Sequence, residues 1–284
     1  VTADQFDDFP VSSAGTADAK DLYESFLEFE ILLAQVPKKH LGENPRLAEY
    51  DFFREVHTAR SAKGALYRRR SDASEALGRL WLSRIRQQAQ LLVASTELVP
   101  FNGLSAIELN EIARLCVDPK EVFSLQQLLL NKGIVLIYEA SIPGMKLDGA
   151  VFCLDDGRPV VGLSLRYPRF DIFWFTLMHE LAHIVLHREM LMDPILEDLD
   201  AAPEGLIEEQ ADRLAGDSLI SRSDWRSANV KYSPTEENLF EFARRVGVHP
   251  AIVAGRLQRE SSRKNMFATV LNEVNIRRML FGHE

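Results

Sequence analysis

The run Phe175–His187, FTLMHELAHIVLH, sets three imidazoles and a carboxylate on an otherwise apolar segment. Residues four apart share a face of a helix, about 6 Å apart along its axis. His179 and His183 therefore face the same way and can hold one ion between them. Glu180 projects beside that face, where an activated water would sit. This is the H-E-x-x-H arrangement, two zinc ligands with a glutamate as general base. Zinc lowers the pKa of its bound water to about 7, so a carboxylate can take the proton at neutral pH. Leu177, Leu181 and Ile184 give the helix a separate apolar face, so the histidines are not needed for packing. A chain of this length contains the pattern by chance on the order of 1% of the time, so the surroundings must decide. His187 falls at the same phase but about 12 Å along the axis from His179. That is too far for all three rings to meet one ion at about 2.0–2.1 Å. It reads as a helix-end residue, favoured by the helix dipole when charged.

A catalytic zinc needs a third protein ligand and an open position. The stretch IEEQADRLAG supplies carboxylates: Glu208 and Asp212 lie on one face, with the small Ala211 and Ala215 beside them. Small residues let two helices approach closely, so Glu208 is the candidate third ligand. Asp212, one turn on, is the candidate acceptor for the ring N–H of a ligand histidine, which fixes the tautomer. Glu209 is the rival ligand, better explained as an i,i+4 partner of Arg213 on an exposed face. Zn²⁺ is the expected cofactor; Mn²⁺ or Fe²⁺ also suit a histidine–carboxylate set.

Around this core the chain reads as α+β and mainly helical. DAKDLYESFLEFEILLAQVP has Leu22, Phe26, Phe29 and Leu33 at helical spacing, and Asn44-Pro45 opens the next helix. A long helix follows with Leu77, Leu80, Trp81, Ile85 and Leu92 inward. Ser105 and Glu108 form a capping box, and DPKEVFSLQQLLLNKG runs from Asp118-Pro119 to Gly133. The pattern then changes to short β-branched runs: GIVLIYEA, GAVFCL and PVVGLSLRY, the last two joined by the hairpin signal DDGR. Three strands, or four, are predicted. Residues Glu189 to Pro203 read as loop, and helices resume at EGLIEEQADRLAGDSLI.

Net charge is −9 with only two cysteines, Cys116 and Cys153. The acidic balance makes nucleic acid and anionic membrane poor partners. Two lone cysteines read as small buried hydrophobes of a reducing, cytoplasmic setting. The acidic start VTADQFDDFPVSSAGTADAK is not a signal peptide, and no run approaches a membrane span.

RYPRFDIFWFTLMHELAHIVLH followed by EEQADRLA resembles the ImmA/IrrE family of metallopeptidases. That family pairs an HExxH helix with a later E-x-x-A-N type motif; here Glu208-Glu209-Gln210-Ala211-Asp212 has aspartate in place of asparagine. GIVLIYEASIPGMKLDGAVF and HPAIVAGRLQ are similar too, so the resemblance spans Glu75 to Glu260. The residues themselves read as a flexible tail over 1–16 and a helical region over 17–132, and the resemblance implies a zincin-like metallopeptidase domain with C-terminal helices over 133–284. It also implies a small three- or four-stranded sheet packed on the HExxH helix. The function implied is a zinc-dependent endopeptidase. Its substrate is a protein or peptide, and for several members it is a DNA-binding repressor, in stress-response or toxin–antitoxin settings.

In this reading His179, His183 and Glu208 hold the metal and Glu180 is the base. PVVGLSLRY, taken as an edge strand, pairs with the substrate. Arg166, Tyr167, Tyr232 and His249 are the candidate oxyanion donors. The alternative comes from FARRVGVHPAIVAGRL, two helices around Gly247 with Arg244, Arg245, Arg256, Arg259, Arg263 and Lys264 nearby. This is helix-turn-helix grammar over 234–260, and it would make the protein a DNA-binding regulator or antitoxin. The mostly apolar Ala251–Gly255 stretch gives that reading few side chains for base edges.

Overall fold

A computed structural model describes residues 19–61, 73–192, 194–197, 205–261 and 266–282; the expected tail at 1–16 lies outside them. Four short strands carry the site: β1 Val135–Tyr138, β2 Gly149–Cys153, β3 Pro159–Leu163 and β4 Ile195–Glu197. Their order is β1-β3-β2-β4, with β1 and β3 parallel and the other pairs antiparallel. β2 and β3 form the hairpin that DDGR signals. β4 comes from the segment read as loop. β3 is bonded on both sides, so it is not an edge and cannot pair with a substrate chain; the edges are β1 and β4.

Alternating residues of these strands feed two cores. Val135, Ile137, Ala150, Phe152 and Val160 face the N-terminal helices α1 (Ala19–Leu33), α2 (Pro45–Ser61) and α3 (Ala73–Ser95). Trp81 and Ile85 of α3 are fully buried there, and Trp81 Nε1 donates to Glu139 O beyond β1 at 3.0 Å. Leu136, Val151, Cys153, Val161 and Leu163 face the other way, onto α6 (Phe170–Leu186). The sheet is thus sandwiched between helices, and α6 has strands along one flank.

On α1 the buried stripe is Ser25, Phe29 and Leu32 rather than Leu22 and Phe26, which are exposed. Ser25 is accommodated because its hydroxyl donates to Asp21 O and lies 3.0 Å from His57 Nδ1. Asn44 Oδ1 accepts from Leu47 N at the start of α2, as its capping position predicts.

Helix α4 (Ala106–Arg114) opens on the Ser105/Glu108 capping box, and α5 (Leu125–Leu130) leads into β1. A hydrogen bond from Lys132, with two more from Ser105, pulls the Glu108 carboxyl down to about 2 from its ordinary 4.5. A depressed folded value means this stabilisation is complete above about pH 4.5 and is lost as pH falls toward 2. Glu108→Gln is therefore expected to lower Tm by about 1–3 °C at pH 7. Melting curves of the two proteins are expected to converge in acid. A gap that persists at pH 2 would show that the charge is not responsible.

The remaining helices are α7 (Leu206–Leu219), α8 (Arg222–Arg226), α9 (Glu236–Val246), α10 (Pro250–Glu260), α11 (Ala268–Leu271) and α12 (Ile276–Phe281). α10 packs against α6. Ala251 to Gly255 and Leu257 are buried, and a Cβ on Gly255 would fall 2.1 Å from Asp171 Oδ2. Arg256 donates to Gly216 O and Ile220 O, while Arg259 stacks over Phe175. Arg263 and Lys264 lie outside the described residues. The first turns of the would-be recognition helix are therefore core; Arg256 is half-buried on backbone carbonyls and Arg259 is exposed beside Phe175. The helix thus offers few side chains to base edges, while Arg244 and Arg245 before it stay exposed. Cys116 and Cys153 are buried thiols, and burial pushes Cys116 up to about 11. Among the described residues, no helix is long and apolar enough to cross a membrane.

Candidate active site

The site is built where α6, α7 and β2 meet. Ala211 and Ala215 are fully buried against α6, so no larger side chain holds the two helices apart. That approach brings Glu208 to the histidines. Its Oε2 lies 3.1 Å from His179 Nε2 and 3.4 Å from His183 Nε2, and the two Nε2 atoms are 2.9 Å apart. Among the described residues, these three form the group able to hold a metal ion.

The outer faces of the rings are also engaged. His179 Nδ1 is 3.0 Å from Asp212 Oδ1, and His183 Nδ1 is 3.0 Å from His187 Nδ1. With a metal on Nε2, His179 carries its proton on Nδ1 and donates it to Asp212, since an ionised carboxylate only accepts. If His183 does the same, three acceptor atoms face one another and repel unless a cation or proton lies between them. Ligands held tetrahedrally at about 2.0–2.1 Å from zinc are about 3.3–3.4 Å apart. The three observed separations are slightly shorter or equal, so the donor set fits a zinc-sized ion with little movement.

Electrostatics agree with that use. Burial disfavours ionised Glu208, but hydrogen bonds from His179 and His183 outweigh it and draw the carboxyl down to about 2. Burial depresses His183 below the ordinary histidine value, and the other two imidazoles add to the effect while Glu208 opposes it. An anionic carboxylate beside a neutral imidazole is the protonation state that metal binding needs.

Glu180 is fully buried on the β2 side of α6. A Cβ built on Gly149 would fall 2.2 Å from Glu180 Oε1 and 2.8 Å from Thr176 Cγ2. The strand backbone therefore lies flush against the carboxylate, and only glycine fits there. Gly149 also registers with Glu197 of β4, so the sheet edge runs one strand away from Glu180.

Glu209 and Arg213 are exposed on the far side of α7, away from the ion-binding face. Of the four expected oxyanion donors, His249 is committed elsewhere: it caps α10 through Ala251 N and packs on Phe170. Tyr232 is 80% exposed after α8. Arg166 and Tyr167 stack on each other and share a small cleft with Asp148 and Thr176, one turn before Glu180.

His187 stands at the end of α6, as expected. It is buried, 7% exposed, and its Nε2 lies 3.0 Å from Gln210 Oε1. The signal for this is its phase, shared with His179 and His183. Gly149 has no local signal, since its role depends on a strand distant in sequence packing onto α6.

Residues 132–258 match the protein-family model Peptidase_M78, described as the IrrE N-terminal-like domain. No curated protein matches the chain.

Proposed function

We propose, from the match of residues 132–258 to the IrrE N-terminal-like domain and from the geometry above, that the protein is a zinc-dependent endopeptidase. His179, His183 and Glu208 hold the metal, Glu180 is the general base, and Asp212 fixes the tautomer of His179. One observation carries this reading: three ligand atoms converge within 3.4 Å of one another beside a buried glutamate.

Zinc, when bound, supplies Lewis-acid polarisation and makes water nucleophilic at neutral pH. Glu180 accepts the proton of the attacking water and passes it to the leaving amine nitrogen. Gly149 keeps that carboxylate in place, and the buried surroundings exclude competing water. The substrate enters as an extended chain along the outer edge of β4, where no described strand pairs. A regulatory protein such as a transcriptional repressor is the substrate class carried over from the ImmA/IrrE resemblance.

The purified protein is expected to hold about one equivalent of zinc. It is expected to lose peptide hydrolysis on chelation and to regain it on adding zinc. Full hydrolysis by metal-free protein would overturn the proposal. Gly149→Ala is expected to displace Glu180 and cut kcat about 10²-fold while metal content stays. An unchanged kcat in the Gly149→Ala variant would show that the Glu180 carboxylate has room to spare.

A further inference from the structure

The third histidine of FTLMHELAHIVLH is too far along the helix to be a ligand, yet it is not a surface residue. His187 is the C-cap of α6, at φ −127° and ψ 24°, and its N–H still bonds to His183 O at 2.7 Å. It is the i,i+4 neighbour on the same face, so its ring reaches His183 much as His183 reaches His179, and the centroids of that latter pair are 4.7 Å apart. The ring centroids of His183 and His187 are 5.1 Å apart.

Proton counting fixes the direction of the contacts. A ligand His183 uses Nε2 for the metal and must carry its proton on Nδ1. That proton is donated to His187 Nδ1, 3.0 Å away, so His187 must itself be protonated on Nε2. The Nε2–H then donates to Gln210 Oε1 at 3.0 Å. Every donor in the series meets an acceptor, and no member needs a net charge.

We propose that His187 and Gln210 form a neutral relay that sets the tautomer and ring orientation of His183, making His187 a positioning residue for the metal centre. This rests on the metal-site reading above and adds to it an asymmetry. His179 is backed by a carboxylate, Asp212, whereas His183 is backed by a neutral imidazole–amide pair. α7 supplies Glu208 to the metal and both Gln210 and Asp212 to the outer rings, so one helix orients all three ligands.

The test is zinc affinity, read by competition with a chromophoric chelator, beside the thermal stability of the metal-free proteins. His187→Leu removes the acceptor and is expected to weaken zinc Kd by about 10–100-fold. His187→Asn, whose side-chain oxygen falls near the place of Nδ1, is expected to stay within about threefold of the parent. Gln210→Leu, at an exposed position, is expected to weaken Kd by about 3–10-fold. In the zinc-loaded parent, ¹⁵N NMR is expected to show His187 protonated on Nε2. An unchanged Kd in His187→Leu overturns the relay, as does an equal loss in His187→Asn. If His187→Leu does not fold, an unchanged Kd in Gln210→Leu overturns it instead. Failure of the parent to bind zinc would sink the metal-site reading itself; parent binding with unaffected variants sinks only the relay.

Discussion

Glu180→Gln is expected to keep its metal and to lose peptide hydrolysis by about 10²–10⁴-fold, the range for removing a positioned general base. Glutamine has the shape of glutamate, so it can occupy the space against Gly149 that admits no Cβ. It makes no change to His179, His183 or Glu208, and zinc Kd is expected to stay within a few-fold. What it lacks is basicity: the amide cannot take a proton from the attacking water. The loss is therefore expected in kcat, with KM little altered, because proton transfer belongs to the transition state and not to substrate binding. Steady-state kinetics on a peptide substrate, with metal content measured on the same sample, checks both halves. A Glu180→Gln variant that turns over at the parent rate would assign the base to another group. One that has lost its metal would show that the buried carboxylate supports the ion directly.

The parts of this site legible in the sequence are those set by local geometry. A helix repeats every 3.6 residues whatever surrounds it, so the shared face of His179 and His183 follows from spacing alone. The same rule places Glu208 and Asp212 together and puts Ala211 and Ala215 where a neighbouring helix must come close. Helix starts are equally local: the Ser105/Glu108 box and the Asn44 cap involve partners three residues apart.

What lies beyond sequence reading depends on contacts between distant segments. PVVGLSLRY carries no mark that distinguishes a central strand from an edge strand, and β3 proves to be central because β1 lies parallel beside it. β4 is three residues long and follows Pro194 within an acidic stretch, too short for alternation to register. On α1, Leu22 and Phe26 fit the helical stripe, but Ser25 takes the buried place through its bonds to Asp21 and His57. His187 ends α6 as its position predicts, but its burial and its contact with Gln210 depend on α7, which lies distant in sequence. Axial distance says nothing of where its ring points.

Glu208→Ala is expected to weaken zinc binding by about 10²–10³-fold. Apparent affinities of about 10–16 kcal/mol for fully protein-ligated zinc imply about 3–4 kcal/mol per ligand, and each 1.4 kcal/mol is tenfold. Glu208 is also the only anion among the three proposed ligands, and with its carboxyl drawn down to about 2 it is charged throughout the neutral range. Its loss leaves two neutral imidazoles to hold a dication. Hydrolysis is expected to disappear at limiting zinc and to stay depressed at saturating zinc, since the altered ligand set no longer places water beside Glu180. Glu209→Ala is the matched comparison. Its side chain is exposed on the other face of α7, and both metal affinity and turnover are expected to match the parent. If Glu209→Ala lost the metal while Glu208→Ala kept it, the helix would have to be rotated by about 100° from its present packing. Ala211 and Ala215 would then leave the α6 contact, and the close approach that brings α7 to the histidines would lose its cause.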